Sequence, residues 1–238
     1  PLFLYLALPS PHTPWVPTEE FLGKSGAGMY GDFVMQVDSV VGQVMASLEE
    51  AGMTEDTLIL FTSDNGPVWY EKDTERFGHA ATGPLRGVKA SVWEGGHRVP
   101  FIVRWPAAVK AGSTSEHTVA FADVFATLAE LAGQDEMAED VAQDSVGFVE
   151  VLRDPDSELE NRPPILHDEA VIREGDWKLI DKRGGRGFGA PKGVKYGIEL
   201  FDLSNDLSEE NNLADQMPEK VDSMRGLIQK VLNEGPGN

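Results

Sequence analysis

The first sixty residues contain two apolar runs separated by one amphipathic stretch. Residues 2–8 are almost uniformly apolar and are followed by Pro9, a pattern typical of a buried strand that proline ends. Over residues 32–51 the apolar side chains recur every three or four positions, which predicts a helix that stops at Gly52. Residues 57–62 form a second short β-rich run. A strand, a helix and a strand in this order predict two parallel strands joined by a right-handed crossover.

The same alternation continues to about residue 131 and then changes. A strand is predicted at residues 99–103 and a helix at residues 120–131. Farther along the chain, short β-rich runs separated by glycine-rich turns indicate an antiparallel sheet; these runs are residues 170–173, 177–180 and 198–203. A last amphipathic helix is predicted over residues 218–232, with Pro218 in its first turn.

These elements predict an α/β fold in two parts. Residues 1–160 are expected to form a partial parallel-type sheet with flanking helices. Residues 161–238 are expected to form a small α+β subdomain, an antiparallel sheet with a terminal helix. The carboxyl ends of the predicted parallel strands would place residues 11–14 and 63–66 at one edge, where ligands bind in open α/β sheets.

Charge and composition narrow the function classes. The chain has 20 basic and 40 acidic residues, a net charge of −20, which repels phosphate backbones and makes nucleic acid a poor partner. Its longest apolar run is far too short for a membrane span. The absence of cysteine removes disulfides, thiolate metal sites and cysteine nucleophiles. Because the sequence opens on an apolar run, with neither a methionine nor a charged leader before it, we expect it to be a fragment.

Asp64 and Asn65 are the candidate metal ligands. They follow the predicted strand 57–62 and supply a carboxylate and an amide oxygen, the hard donors that suit Ca²⁺ or Mg²⁺. The same residue types also form ordinary turns, where they bond to their own backbone. Ca²⁺ and Mg²⁺ bind six or more oxygen ligands, and these two residues supply only two. A metal site would therefore need further ligands.

Three other residues are candidates for substrate contact. His12 lies between Pro11 and Pro14, which stiffen the loop at the same predicted sheet edge as Asp64. Lys89 ends a glycine-containing loop and could pair with an oxyanion, although a surface lysine is the simpler interpretation. His79 precedes that loop and could line the mouth of the same cleft.

A set of charged residues around the glycine-containing loop favours a structural role. Arg86, Glu94 and Arg98 are spaced so that they could form ion pairs under the loop.

Taken together, these segments resemble the sulfatase family, as in arylsulfatases, within the alkaline-phosphatase-like superfamily. The resemblance lies in ordered motifs that run along nearly the whole chain, at residues 4–7, 11–15, 30–42, 60–67, 83–89, 94–100, 175–179 and 200–206. It implies hydrolysis of a sulfate monoester to an alcohol and sulfate, assisted by one divalent cation, Ca²⁺ or Mg²⁺. The substrate would be an aryl or a carbohydrate sulfate, and the protein would be periplasmic or extracellular.

The resemblance also assigns roles to the candidate residues. It implies that Asp64 and Asn65 bind the metal and that His12 and Lys89 contact the sulfate as catalytic groups. His79 is a candidate substrate-binding residue, as are Trp69 and Tyr70. A metal ion, an ammonium and an imidazolium aimed at the transferring sulfuryl group would stabilise the charge that develops there.

The sequence departs from the family pattern in one respect. Sulfatases of this type carry a Cys-x-Pro-x-Arg or Ser-x-Pro-x-Arg motif whose first residue becomes the formylglycine nucleophile, and neither motif occurs here. We therefore expect this chain alone to be inactive, with the formylglycine in a missing N-terminal half supplied in cis or in trans. Without that half, a bare sheet edge and an uncovered helix face would favour self-association.

Two other interpretations remain open from the sequence. The chain could belong to a phosphate or phosphonate monoester hydrolase of the same superfamily, because similar metal loops serve both esters. It could also be a non-catalytic anion-binding remnant or a half-subunit of a two-chain assembly.

Overall fold

The computed structural model describes residues 2–134, 138, 141–159, 162–183, 186–187, 190 and 193–234. Within them the helices are α1 (Gly28–Glu50), α2 (Glu71–Phe77), α3 (Glu94–His97), α4 (Phe121–Leu131), α5 (Val149–Arg153) and α6 (Pro218–Glu234). The strands are β1 (Ile59–Thr62), β2 (Phe101–Arg104), β3 (Ile165–Asp168), β4 (Val171–Glu174), β5 (Trp177–Ile180) and β6 (Glu199–Asp202). The mixed α/β character agrees with the sequence prediction.

The long helices occur where the apolar periodicity predicts them. The predicted helices at residues 32–51, 120–131 and 218–232 correspond to α1, α4 and α6. The short helices α2, α3 and α5 were not predicted, because four to seven residues hold too little periodicity to detect. In the part of the chain that the structure describes, no helix combines the length and apolarity needed to cross a membrane.

The predicted parallel-type sheet is not confirmed. Strand β1 pairs with β2 in antiparallel register, Ile59 opposite Arg104 and Thr62 opposite Phe101. Residues 2–8 form no strand, because no described strand pairs with them to form a ladder. Their side chains are correspondingly exposed, Leu2 by 75% and Tyr5 by 82%. The βαβ unit predicted from residues 2–62 therefore reduces to a helix followed by one strand.

The predicted C-terminal antiparallel sheet is confirmed and has one more strand than expected. Its order is β3-β4-β5-β6, and β3 was missed because Ile165 and Leu166 follow two prolines. The predicted boundary between residues 160 and 161 lies outside the described residues, so the two-part division stays a prediction.

Both faces of this sheet are covered. Alternate strand residues pack against α6 in one apolar cluster, formed by Ile172, Leu179, Leu200, Val221, Met224 and Ile228. The opposite face packs against the segment that leads into α3, in a second cluster formed by Trp93, Val171, Ile180, Phe201 and Leu203. The sheet is therefore the layer that joins the terminal helix to α3.

The α6 packing gives a prediction about stability. Ile228→Ala should lower the free energy of unfolding by about 2–5 kcal/mol, because Ile228 is almost fully buried between α6 and the sheet. Gln229→Ala, an exposed change on the same helix, should leave stability within about 0.5 kcal/mol. Urea unfolding followed by circular dichroism measures both. Equal midpoints for the two variants would contradict the described packing.

Candidate active site

The turn after β1 presents Asp64 and Asn65. Asn65 Nδ2 donates to the Gly66 carbonyl at 3.0 Å, and Ser63 Oγ donates to the Asn65 carbonyl at 3.2 Å. These bonds fix the amide so that its Oδ1 remains available. Among the described residues, neither that oxygen nor the exposed Asp64 carboxylate takes part in a hydrogen bond or an ion pair.

This turn lies directly on the backbone of α3. The Gly66 N–H donates to the Gly96 carbonyl at 3.1 Å. A Cβ atom at Gly66 would lie 1.8 Å from the Gly95 carbonyl oxygen, so the position accepts only glycine without a shift of backbone. This close approach fixes the distance between α3 and the turn that carries Asp64 and Asn65.

The loop that carries Lys89 packs against the same two segments. The Lys89 N–H donates to the Pro67 carbonyl at 2.9 Å, and the Gly95 N–H donates to the Arg86 carbonyl at 2.7 Å. A Cβ atom at Gly95 would lie 2.3 Å from the Gly87 carbonyl oxygen. The structure thus brings the Asp64 turn, the Lys89 loop and α3 together through main-chain contacts.

A row of aromatic rings connects the N-terminal loop to this region. Trp15 contacts Tyr30 with ring centroids 5.5 Å apart, and Tyr30 contacts Trp69 at 5.2 Å. The Trp69 ring lies 5.6 Å from the His79 imidazole, and Trp69 Nε1 donates to the His79 carbonyl at 3.0 Å. Burial in this row raises the pKa of Tyr30 above its ordinary value. His79 is therefore held against Trp69, which follows Asp64 by five residues.

His12 lies in the exposed loop that precedes Trp15, the first ring of that row. Its Nδ1 bonds to the Thr13 carbonyl at 2.7 Å. A carbonyl only accepts hydrogen bonds, so Nδ1 carries a proton, and no described residue bonds to Nε2. The Trp15 ring ties the His12 loop to Tyr30, and through it to the segment after the Asp64 turn.

The donor set fits part of a hard-cation site. A carboxylate and an amide oxygen on adjacent residues match the ligands of Ca²⁺ and Mg²⁺, which take six or more oxygens. The described residues contain no cluster of three or more histidine, aspartate or glutamate side chains placed to hold a metal ion. Asp64 and Asn65 thus supply two ligands, and the remainder of a shell would have to come from outside them.

The predicted ion pairs among Arg86, Glu94 and Arg98 are not those that form. Glu94 pairs with Lys178 at 2.9 Å and with Arg173 at 3.5 Å. In the described residues, Arg98 has no ion pair, and only its backbone N–H bonds to the Glu94 carbonyl. The prediction was wrong because it considered only neighbours along the chain.

Arg86 instead contacts the C-terminal part of the chain. Its guanidinium lies 3.6 Å from the Glu199 carboxylate and 3.9 Å from the centroid of the Trp93 ring. It therefore ties the Lys89 loop to strand β6.

Buried charges beneath α3 shift several pKa values. Burial would raise the pKa of Glu94, but Lys178 and Arg173 bring it below its ordinary value. Burial raises the pKa of Glu209, which Lys178 only partly offsets. Burial and the Lys178 charge lower the pKa of His167 to about 3, so this imidazole is neutral above that pH.

Sequence reasoning missed Lys178 and Glu209 as residues connected to this region. Lys178 lies in the Gly-Asp-Trp-Lys-Leu motif that contributed to the family resemblance, which was its only signal. Glu209 had none, because it precedes another glutamate and resembles a surface residue.

Comparison with known proteins identifies the family. The Sulfatase family model matches residues 1–134. An N-acetylgalactosamine-6-O-sulfatase of Bacteroides thetaiotaomicron is 38% identical over 244 residues, which cover 97% of this chain and 47% of that protein. The chain belongs to the sulfatase family. The rat steryl-sulfatase is 43% identical to this sulfatase chain over 135 residues, covering 56% of it and 23% of the relative.

A solved structure supports the same assignment for the fold. A Bacteroides thetaiotaomicron protein, solved in work on the metabolism of multiple glycosaminoglycans, superposes on this sulfatase chain with a TM-score of 0.80. It is 37% identical, and the match covers 93% of this chain and 48% of that one. The chain thus spans about half the length of the relatives that it matches from end to end.

The contact between the Asp64 turn and α3 gives a prediction. Gly66→Ala should destabilise the chain by about 1–3 kcal/mol or more, because the added methyl group meets a backbone carbonyl that cannot rotate away. Gly42→Ala is the matched control: no atom lies within 4 Å of its added Cβ, and α1 should gain up to about 1 kcal/mol. Thermal unfolding of both variants checks this. A Gly66→Ala variant as stable as the parent chain would contradict it.

Proposed function

We propose that this chain is the C-terminal part of a metal-dependent sulfatase that hydrolyses sulfate monoesters to an alcohol and sulfate. The observation that carries the proposal is the packing of the Asp64 turn and the Lys89 loop on the same short helix, α3. Two free oxygen donors and a lysine are thereby anchored to one rigid backbone segment. Family membership and the names of the relatives support the reaction class.

The residues of the site match the charge demands of this reaction. A sulfuryl group in transfer carries negative charge on its nonbridging oxygens and on the leaving oxygen, which cations and hydrogen-bond donors stabilise. Lys89 would pair with a sulfate oxygen, and the Nε2 of His12, in the doubly protonated imidazolium, would donate a hydrogen bond to the ester. Asp64 and the Oδ1 of Asn65 would hold a Ca²⁺ or Mg²⁺ ion, which when bound supplies electrostatic stabilisation of the sulfate. The formylglycine nucleophile would come from outside this chain.

We further propose that the substrate is a sulfated sugar. The N-acetylgalactosamine-6-O-sulfatase matches 97% of this chain, and the solved relative that matches 93% of it comes from work on glycosaminoglycan metabolism. The exposed His79 and the partly exposed Tyr70 ring beside Trp69 offer polar and aromatic surfaces of the kind that contact sugar rings. Family resemblance also supports action in the periplasm or outside the cell.

Substitution of the charged groups tests the proposed reaction. In the enzyme assembled with its N-terminal half, Lys89→Met and Asp64→Asn should each lower kcat/KM by about 10²–10³-fold. Sulfate release from a 6-sulfated N-acetylhexosamine is the measurement. The matched control is Lys110→Met, an exposed lysine in another loop, which should keep full activity. Turnover by Lys89→Met at the level of the control would refute the assigned role.

We propose that the exposed apolar surface at the N-terminal end is where the missing half of the enzyme packs, in cis or in trans. Leu4 is 66% exposed, and it lines a groove on α1 together with Val40, Val44, Leu48 and Met53. Exposed apolar patches of this kind mark interaction surfaces. The solved relative has a further half beyond the region that this chain matches, and we propose that the equivalent half packs on this groove.

Without that occupant, the chain should self-associate. We expect oligomers of the isolated chain in size-exclusion chromatography with light scattering, because the apolar surface is exposed and no described strand pairs with the outer edges of β1 and β2. Leu4→Lys should reduce association, whereas Val194→Lys, at a position 44% exposed elsewhere, should not. A monodisperse monomer of the unmodified chain would contradict the proposal.

A further inference from the structure

A lysine and two glutamates are buried together where the C-terminal sheet meets α3. Lys178 Nζ on β5 lies 2.9 Å from Glu94 Oε1 and 2.9 Å from Glu209 Oε1. All three side chains are 0–2% exposed. Charges this deep are costly to desolvate, and apolar side chains of similar volume often serve stability as well or better. Stability alone therefore does not account for the choice of these residues.

The group makes direct bonds to the main chain of α3. Glu209 Oε2 accepts a hydrogen bond from the Glu94 N–H at 2.6 Å, across 115 positions of the chain. Glu94 is the first residue of α3, so both its backbone and its side chain are fixed. Glu209 itself is held at a φ of 54°, a left-handed conformation that non-glycine residues rarely adopt.

Glu209 also reaches the Lys89 loop. Its carbonyl accepts a hydrogen bond from Arg86 Nη1 at 2.7 Å, and the Arg86 carbonyl accepts one from the Gly95 N–H of α3 at 2.7 Å. The same residue therefore contacts α3 with its side chain and the Lys89 loop with its backbone. A displacement of Glu209 would therefore move both α3 and the Lys89 loop.

The position of α3 in turn fixes the position of the Asp64 turn. Gly66 donates to the Gly96 carbonyl and lies so close to the Gly95 carbonyl that a methyl group would not fit between them. Close-packed backbone contacts transmit small displacements because they contain no flexible side chain to absorb them.

We propose that Lys178, Glu94 and Glu209 form a buried clamp that positions α3, and through it the proposed metal-binding turn and the Lys89 loop. They are positioning residues, because side chains that are 0–2% exposed are not accessible to a substrate. This inference rests on the proposed function and deepens it: the C-terminal sheet takes part in organising the active site. It also explains a role for the lysine of the Gly-Asp-Trp-Lys-Leu motif.

The test compares clamp variants with two matched controls in the enzyme assembled with its N-terminal half. Lys178→Met removes the central charge at similar length, and Glu209→Gln keeps an acceptor for the Glu94 N–H while removing one charge. Ile228→Ala lowers stability from the other side of the sheet without touching α3. Lys220→Met makes the same chemical change at an ion pair with Glu174, 2.9 Å long, which does not contact α3.

Three readouts separate positioning from stability. We expect Lys178→Met to raise amide exchange of residues 63–67 and 86–96 by about tenfold or more, while exchange of α6 changes little. In Lys178→Met, the Ca²⁺ concentration for half-maximal thermal stabilisation should rise by about 10–100-fold, which is the effect of removing other groups that orient metal ligands. The value of kcat/KM should fall by a similar factor. Glu209→Gln should show the same effects to a smaller degree, and it serves as the test if Lys178→Met does not fold.

The outcomes distinguish this inference from the proposed function. Both controls should keep the parent values of local exchange, Ca²⁺ midpoint and kcat/KM. If Ile228→Ala shifts the Ca²⁺ midpoint as much as the clamp variants do, the effect is one of general stability and the clamp is overturned. Unchanged exchange in residues 63–67 of Glu209→Gln and Lys178→Met overturns it too. If the parent enzyme releases no sulfate, the proposed reaction fails, while the exchange data still decide whether the clamp holds the two loops.

Discussion

The contact between Gly66 and the backbone of α3 is the constraint on which the site depends. The Asp64 turn cannot move closer to α3, because the Gly95 carbonyl fills the space where a side chain would be. It is also held from moving away by the hydrogen bond to Gly96. Since the Lys89 loop also bonds to the backbone of α3, the four residues of this helix set the relative positions of both loops.

A helix of four residues has little stability of its own, so it must be held by its surroundings. The C-terminal sheet supplies this support in two ways. Trp93 packs into the apolar cluster on the sheet face that looks away from α6. Beside it, Lys178 on β5 pairs with Glu94 at the start of α3. The antiparallel sheet is thus sandwiched between α6, which stabilises it, and α3, which it supports.

The chain presents a contrast between its two ends. The C-terminal sheet is covered on both faces, whereas the apolar run at residues 2–8 and one side of α1 are exposed. The chain matches about half of the Bacteroides thetaiotaomicron sulfatase and about half of the solved relative, and this partial coverage agrees with the contrast. Under the proposed function, the exposed end is where a complete sulfatase would continue its core, and Asp64, Asn65, His12 and Lys89 are the residues proposed to contribute to its site.

The sequence by itself determined the elements whose information is local. The apolar periodicity of α1, α4 and α6 and the turn-separated runs of the C-terminal sheet predicted those elements, and the ordered motifs identified the family. Only the tertiary structure decided that β1 pairs antiparallel with β2, that Glu94 pairs with Lys178 rather than with its neighbours Arg86 and Arg98, and that Glu209 is buried. The physical reason is distance along the chain: these contacts join residues about forty to more than one hundred positions apart, and no local pattern encodes which of many similar residues will meet.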